Sequence, residues 1–226
     1  MTEMTMQQTW TAVDDYIEKH LIPHNPILEQ TLQHTEERGF PSHLHVAPNQ
    51  GMLLAMLLQM NKCKRVLELG TFAAYSTIFM AQYLPEDGYV LTMEGRDTHI
   101  KLAQENIDAS GYAHMIDARL GRASDVIEGL PEDTEPFDFI FIDADKQSYP
   151  EYLEICLKRS RSGTAIFLDN VIRAADILNP ENQKPSIVGL RDMFTAMHNH
   201  PRLAISTALQ TVGSKGYDGF AIAIVK

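Results

Sequence analysis

From Arg65 to Leu168 the chain alternates short apolar, β-prone runs with helix-patterned stretches, and after that the alternation stops. The runs predict strands over 65–69, 89–94, 115–120, 137–142 and 164–168. Helical patterns fall between them, over 75–84, 98–110, 123–130 and 149–159. A helix inserted between consecutive strands makes the strands parallel, with helices on both faces of the sheet. Strands buried on both faces read as continuous apolar runs, as Phe137-Asp-Phe-Ile-Phe-Ile142 does. The last two strand-like runs, 202–210 and 216–225, follow a helical pattern over 186–199 and are joined directly through Thr211-Val-Gly-Ser-Lys215. Without a helix between them they should pair antiparallel. The expected fold class is α/β: parallel strands with an antiparallel C-terminal strand pair, and helices on both faces.

Ahead of the alternation lie three helical patterns. Trp10, Val13, Ile17 and Leu21 recur at helical spacing and stop before Pro23. A second pattern runs from Pro26 to Arg38, with Gly39 as its cap. The third, 48–60, is strongly apolar, and its Met52, Met56 and Met60 read as core packing. With 226 residues and 44% hydrophobic content the chain suits one sizeable core. A single domain, 1–226, is expected, with a helical cap (1–60) on an α/β core (61–226).

Two strand ends carry the chemistry. Phe137-Asp-Phe-Ile-Phe-Ile-Asp-Ala-Asp-Lys146 and Ala165-Ile-Phe-Leu-Asp-Asn170 both pass from apolar residues straight into acids or amides. Ligands of open α/β sheets sit at the carboxyl ends of the strands. These two ends would deliver Asp143, Asp145, Lys146, Asp169 and Asn170 to one crevice. The oxygens of Asp143, Asp169 and Asn170 suit a hard divalent cation such as Mg²⁺, and Lys146 beside them suits a base. The competing reading is that an acid or amide there caps the next helix. The turn after the first strand, Glu68-Leu-Gly-Thr-Phe-Ala-Ala-Tyr-Ser76, has only Gly70 where a dinucleotide site wants G-x-G-x-x-G. A ligand without phosphates, such as S-adenosylmethionine (SAM), asks less of the turn, and Glu68 and Ser76 are candidate polar contacts. Glu94 ends the second strand, where an acid takes ribose hydroxyls or faces a helix N-terminus.

Charge and cysteine usage exclude other classes. A net charge of −11 leaves no electrostatic footprint for nucleic acid or an anionic membrane. Cys63 and Cys156 form no disulfide framework, which suits a reduced compartment. The polar start, Met1 to Trp10, lacks the apolar region of a signal peptide, and no run is long enough to span a bilayer. A cytoplasmic location is expected. His24, His43 and His45 read as loop histidines rather than a zinc site. Lys215 and Asp218, near the last turn, either approach the crevice or cap the turn.

With these residues assembled, the chain resembles the cation-dependent O-methyltransferases of small molecules, on a Rossmann-like class I methyltransferase sheet. This is the family of catechol and caffeoyl-CoA O-methyltransferases, and the similarity is strongest to its microbial branch. It covers roughly residues 8–226 and rests on Val66–Ser76, Phe137–Lys146, Asp169-Asn170 and Thr211–Phe220. The resemblance implies transfer of a methyl group from SAM to a hydroxyl of a catechol-like aromatic acceptor. Glu68, Gly70, Thr71, Ser76 and Val46 would line the methionine end of SAM. Glu94 would bind its ribose, and Ala123 and Asp145 would lie beside its adenine. Asp143, close to both ligands, Asp169 and Asn170 would hold the cation: Mg²⁺ first, with Ca²⁺, Mn²⁺ or Zn²⁺ as alternatives. Lys146 would be the general base, and a homodimer is implied. Two positions depart from the family pattern. Ala74 replaces a second glycine of the turn, and Ile172-Arg-Ala-Ala175 replaces the Trp-x-Gly that shapes the acceptor site of plant members. No acyl-CoA preference follows. The alternatives are an RNA hydroxyl methyltransferase, a cofactor-binding protein without catalysis, and, disfavoured by the missing glycines, an NAD-dependent dehydrogenase.

Overall fold

The computed structural model describes residues 4–226; the first three residues of the polar N-terminal stretch lie outside the described residues. Helix α1 (Met6–Leu21) opens with a capping box in which Thr5 and Gln8 exchange hydrogen bonds. Helix α2 (Pro26–Glu37) starts at an Asn25 cap with proline in its first turn. A short 3-10 turn (Ser42–Leu44) leads into α3 (Pro48–Met60). The alternation follows as β1 (Arg65–Leu69), α4 (Tyr75–Ala81), β2 (Tyr89–Glu94), α5 (Asp97–Ser110) and β3 (Ile116–Leu120). It continues through α6 (Ala123–Glu128), β4 (Phe137–Ile142), α7 (Tyr149–Lys158) and β5 (Ser160–Leu168). Helix α8 (Pro185–Met197) precedes the hairpin of β6 (Leu203–Gly213) and β7 (Gly216–Val225).

The seven strands form one sheet in the order β3-β2-β1-β4-β5-β7-β6. β1 to β5 pair parallel. β7 pairs antiparallel with both β5 and β6, so the expected antiparallel pair closes one edge with its second strand inserted inward. The hairpin is tighter than its sequence implies. Val212 pairs with Tyr217 and Gly213 with Gly216, leaving Ser214-Lys215 as the turn. β5 likewise starts earlier than its apolar run, at Ser160.

Each face of the sheet carries an apolar layer. One holds Leu67, Ile140, Ile166, Leu153 and Leu190, the other Val66, Phe139, Phe141, Phe167 and Ile78. Leu28 of α2 and Leu54 of α3 belong to the second layer, whereas α1 buries no residue. Of the three methionines in α3, only Met52 packs inward; Met56 and Met60 are exposed, because four-residue steps drift off one face of the helix. Cys63 and Cys156 are buried and unpaired. Among the described residues no helix is long and apolar enough to cross a membrane.

From β1 the chain runs outward through β2 to β3 and then crosses back to β4 on the other side of β1, so the strand order reverses between β1 and β4 and opens a crevice at their carboxyl ends. At the opposite ends of these strands Asp138 is a staple. Its carboxylate accepts the Lys64 and Arg65 amides at 2.7 and 3.0 Å and the Arg161 guanidinium at 2.5 Å.

Candidate active site

Two cavities open at the carboxyl edge and share a wall. A cleft of about 620 Å³ runs over the ends of β1 and β2, lined by Gly70, Phe72, Met93, Glu94, His99, Ala123, Asp145 and Tyr152. A second cavity, about 440 Å³, is enclosed by the start of α3, the end of β5 and the β6–β7 turn, with Val46, Gln50, Asp169, Arg173 and Lys215 on its walls. Leu44, Asp143 and Asn170 line both. A further hollow between α2 and α5, about 320 Å³, lies apart from these strand ends.

The turn after β1 is shaped by close packing. Gly70 has φ 102°, and a Cβ there would lie 2.2 Å from the Asp143 carbonyl oxygen. Only glycine lets the two strand ends pass this closely. Phe72 and Ala74 also have positive φ, 47° and 62°. Ala74 therefore stands in a conformation that glycine adopts without penalty, and its methyl group points into the core instead of the cleft. The turn is tied to β2 through Glu94, whose two oxygens accept the Phe72 and Arg96 amides at 3.0 Å. His99 Nδ1 lies 3.5 Å from Glu94 Oε1, and both residues line the cleft.

Glu68 is fully buried and lines neither cavity. Its carboxylate accepts hydroxyls from Ser76 at 2.6 Å, Thr92 at 2.7 Å and Thr77. Thr71 adds a fourth hydroxyl, 2.6 Å from Thr92. Burial raises the Glu68 pKa to about 7 against the opposing pull of those hydroxyls. Glu68, Thr71 and Ser76 thus form a layer beneath the turn, whereas Gly70, Glu94, Ala123 and Asp145 face the cleft. Asp145 is held by Ser148 Oγ at 2.5 Å and by the Tyr152 hydroxyl.

Lys146 lines neither cavity; it lies behind Asp143 of the shared wall, with Nζ 2.6 Å from Asp143 Oδ1 and 5.0 Å from the Tyr149 ring centroid. Tyr149 is buried, and its hydroxyl faces both the Ile142 carbonyl (3.0 Å) and the Asp169 carbonyl (2.9 Å), bridging the ends of β4 and β5. Asp169 is 5% exposed and accepts the Asn170 amide at 2.8 Å. Burial and then the Asp143 charge push its pKa to about 7, with Lys146 acting the other way. Gln50 lies beside Asp169 and favours its charged form, yet its buried Nε2 falls outside hydrogen-bonding geometry, as does Oδ1 of neighbouring Asn49. Asn170 has φ 54°, a left-handed conformation that asparagine tolerates.

Two carboxylates and an amide therefore line one wall, Asp169 buried and Asp143 and Asn170 partly exposed, with the Lys146 ammonium paired to Asp143. No group of three or more His, Cys, Asp or Glu gathers among the described residues, so any ion here would draw on the amide oxygen as well. An all-oxygen donor set with surplus buried negative charge matches a hard cation better than a soft one. His45, by contrast, is turned to the Ser42 carbonyl at 2.5 Å, and His24 pairs with Glu29.

The strand-end acids were legible in sequence. Asn49, Gln50, Arg173, Tyr149 and Phe72 were not, although the polar Asn49-Gln50 pair at the head of an otherwise apolar helix was a usable signal.

A family model described as O-methyltransferase matches residues 18–217. The chain is 43% identical to a catechol O-methyltransferase of Niastella koreensis over 97% of this chain and 99% of that protein. Among solved structures, an O-methyltransferase from Bacillus cereus in complex with SAH superposes with a TM-score of 0.93 at 43% identity, over 98% of this chain and 100% of the other. An O-methyltransferase of Streptomyces achromogenes involved in tomaymycin synthesis, in complex with SAM, gives 0.93 at 35% identity, over 99% and 100%.

Proposed function

The chain belongs to the O-methyltransferase family, and from that premise we propose that it methylates one hydroxyl of a small vicinal diphenol, using SAM and a divalent cation. The observation that carries this reading is the shared wall. One cavity suits an elongated ligand with a diol that Glu94 can grip; the other suits a single ring; Asp143 and Asn170 belong to both. Relatives named for catechol methylation, and relatives bound to SAM or SAH, support the two ligand assignments.

In this reading SAM occupies the cleft, with its ribose on Glu94 and its adenine beside Ala123 and Asp145, and supplies an electrophilic methyl group. Gly70 lets the cleft floor approach it, while Glu68, Thr71 and Ser76 hold that floor from beneath. Val46 stands on the acceptor side. Asp143, Asp169 and the Asn170 amide would hold the cation, which when bound lowers the pKa of chelated hydroxyls and orients them. Lys146 Nζ would be the acceptor of the proton of the reacting hydroxyl. Its setting between Asp143 and the Tyr149 ring holds that nitrogen just behind the shared wall. Setting the acceptor oxygen behind the methyl group in a near-attack geometry accounts for roughly 7–11 kcal/mol of the barrier.

Methyl transfer from SAM to catechol, measured with Mg²⁺ and with EDTA, tests the reading. Turnover that EDTA abolishes and Mg²⁺ restores is the expected result. Undiminished turnover in EDTA removes the cation, and no turnover with any diphenol removes the acceptor class.

A further inference from the structure

We infer that Asn106 of α5 is a positioning residue for the cofactor turn after β1, and that His34 of α2 orients it. This rests on the reading of the cleft as a SAM site and adds what sets the affinity from outside it. A buried chain of hydrogen bonds with one possible polarity is the basis. Asn106 is 3% exposed, and its Nδ2 donates to the Ala73 carbonyl at 2.9 Å. A carbonyl only accepts, so the amide can face one way, with Oδ1 left as its acceptor. His34 Nδ1 lies 2.7 Å from that Oδ1 and therefore carries a hydrogen. Thr35 Oγ1 gives its own hydrogen to the Thr31 carbonyl at 2.7 Å, which leaves it to accept from Asn106 Nδ2 at 3.4 Å. Thr31 and Thr35 are buried as well.

The turn needs restraint from outside. Phe72 and Ala74, on either side of Ala73, both have left-handed backbone, which is costly for a residue other than glycine. Within the turn the Ala74 amide bonds the Thr71 carbonyl at 2.8 Å. Glu94 of β2 accepts the Phe72 amide, and Asn106 of α5 donates to the next carbonyl, that of Ala73. These two ties bracket Phe72, which lines the cleft. The same helix also meets the Phe72 ring. His99 lies seven residues before Asn106, on the same helix face, with its ring centroid 5.0 Å from that of Phe72. Phe40, just beyond α2, packs edge-on against both rings at 6.4 and 5.6 Å.

Helix α2 contributes no residue to the cleft lining, yet through Asn106 it reaches the turn that forms the cleft floor. His34 stands in the hollow between α2 and α5, its side chain 33% exposed. Its Nε2 faces Glu105 at 3.5 Å, and the other oxygen of Glu105 accepts Arg38 at 3.0 Å. Loss of the His34 donor frees the Asn106 amide to rotate away from Ala73, and the wall at Phe72 then loses one of its two backbone ties.

The test is the Kd for SAH, measured by titration calorimetry in the wild type, Asn106→Asp, His34→Leu and His34→Asn. Aspartate keeps the shape of Asn106 and sets an acceptor against the Ala73 carbonyl, so Kd should rise by about tenfold or more. His34→Leu should raise it by about threefold. His34→Asn, whose amide places a donor where Nδ1 stood, should return it to the wild-type value. In turnover with catechol, KM for SAM should rise in step with Kd while kcat is retained. A role confined to folding would lower the bound fraction and the thermal midpoint with Kd unmoved, and that result overturns the inference. An unchanged Kd in His34→Leu, or one that His34→Asn fails to restore, overturns it equally, and decides the matter if Asn106→Asp does not fold. A wild type that binds no SAH overturns the SAM reading itself.

Discussion

Two buried acids, Glu68 next to the end of β1 and Asp169 just past the end of β5, are alike in ionisation and opposite in surroundings. Burial raises both to about 7. Glu68 is encased by three hydroxyl donors and opens on neither cavity. Asp169 accepts one backbone amide, faces a second acid and lines a cavity. A raised pKa therefore marks burial in both places, and spare acceptor capacity separates them. The first carboxylate stabilises a turn; the second has lone pairs left for something brought from outside.

The sharpest way to break this contrast is Asp169→Asn. Turnover should fall by more than about a hundredfold, since a donor oxygen and its charge are lost. The thermal midpoint should hold or rise, because a poorly compensated buried charge is removed. Normal kcat/KM in this variant would make Asp169 as structural as Glu68. Next in size is Gly70→Ala, where the new methyl group meets the Asp143 carbonyl. Urea denaturation should register a loss of about 3 kcal/mol, and an unchanged midpoint would mean that the two strand ends separate without cost.

Glu68→Gln sharpens the contrast through pH. The folded chain holds the Glu68 proton up to about 7, against an ordinary value of 4.5. Its contribution to stability is therefore full below about 4.5 and declines as pH rises to about 7, by roughly 3 kcal/mol in total. The variant should lose that slope in denaturation measured from pH 4 to 8. Mg²⁺ should leave the Glu68 slope untouched; if Mg²⁺ flattens it, the acid is exposed to the ion after all. The smallest effect is expected for Thr92→Val, which removes one of the hydroxyls on Glu68. Stability should drop by about 1–2 kcal/mol with kcat retained, and a loss of kcat instead would move this network into the active site.

How far each part was legible follows from where its signal resides. β1, β2, β4 and β7 match their sequence expectation end to end because each carries its own apolar pattern. β6 does not, because most of this edge strand is exposed and its pairing with β7 extends through Thr211, Val212 and Gly213 without burying them all. The opening residues of β5, Ser160 to Gly163, carry no apolar run, and Arg161 to Gly163 are exposed. Asp143 and Asp169 were readable as the last words of apolar runs. The role of Glu68 was not, since Thr92 reaches it from another strand. Arg173 was hidden too: its place depends on Asp218, on the far side of α8 and β6 in sequence.

The staple at Asp138 gives the sheet an uneven clock. At their amino ends β1, β4 and β5 are cross-tied by one carboxylate holding two amides and a guanidinium. At their carboxyl ends the backbone bond from the Asp169 amide to the Ile142 carbonyl is backed by one side chain, Tyr149, whose single proton serves two carbonyls and can satisfy one at a time. Amide hydrogen exchange should accordingly be slow around Lys64 and Arg65 and faster at Asp143 and Asp169 in the free protein. Bound ligands would act as the missing clasp and close that difference, so part of the local rigidity of the catalytic edge belongs to what it binds.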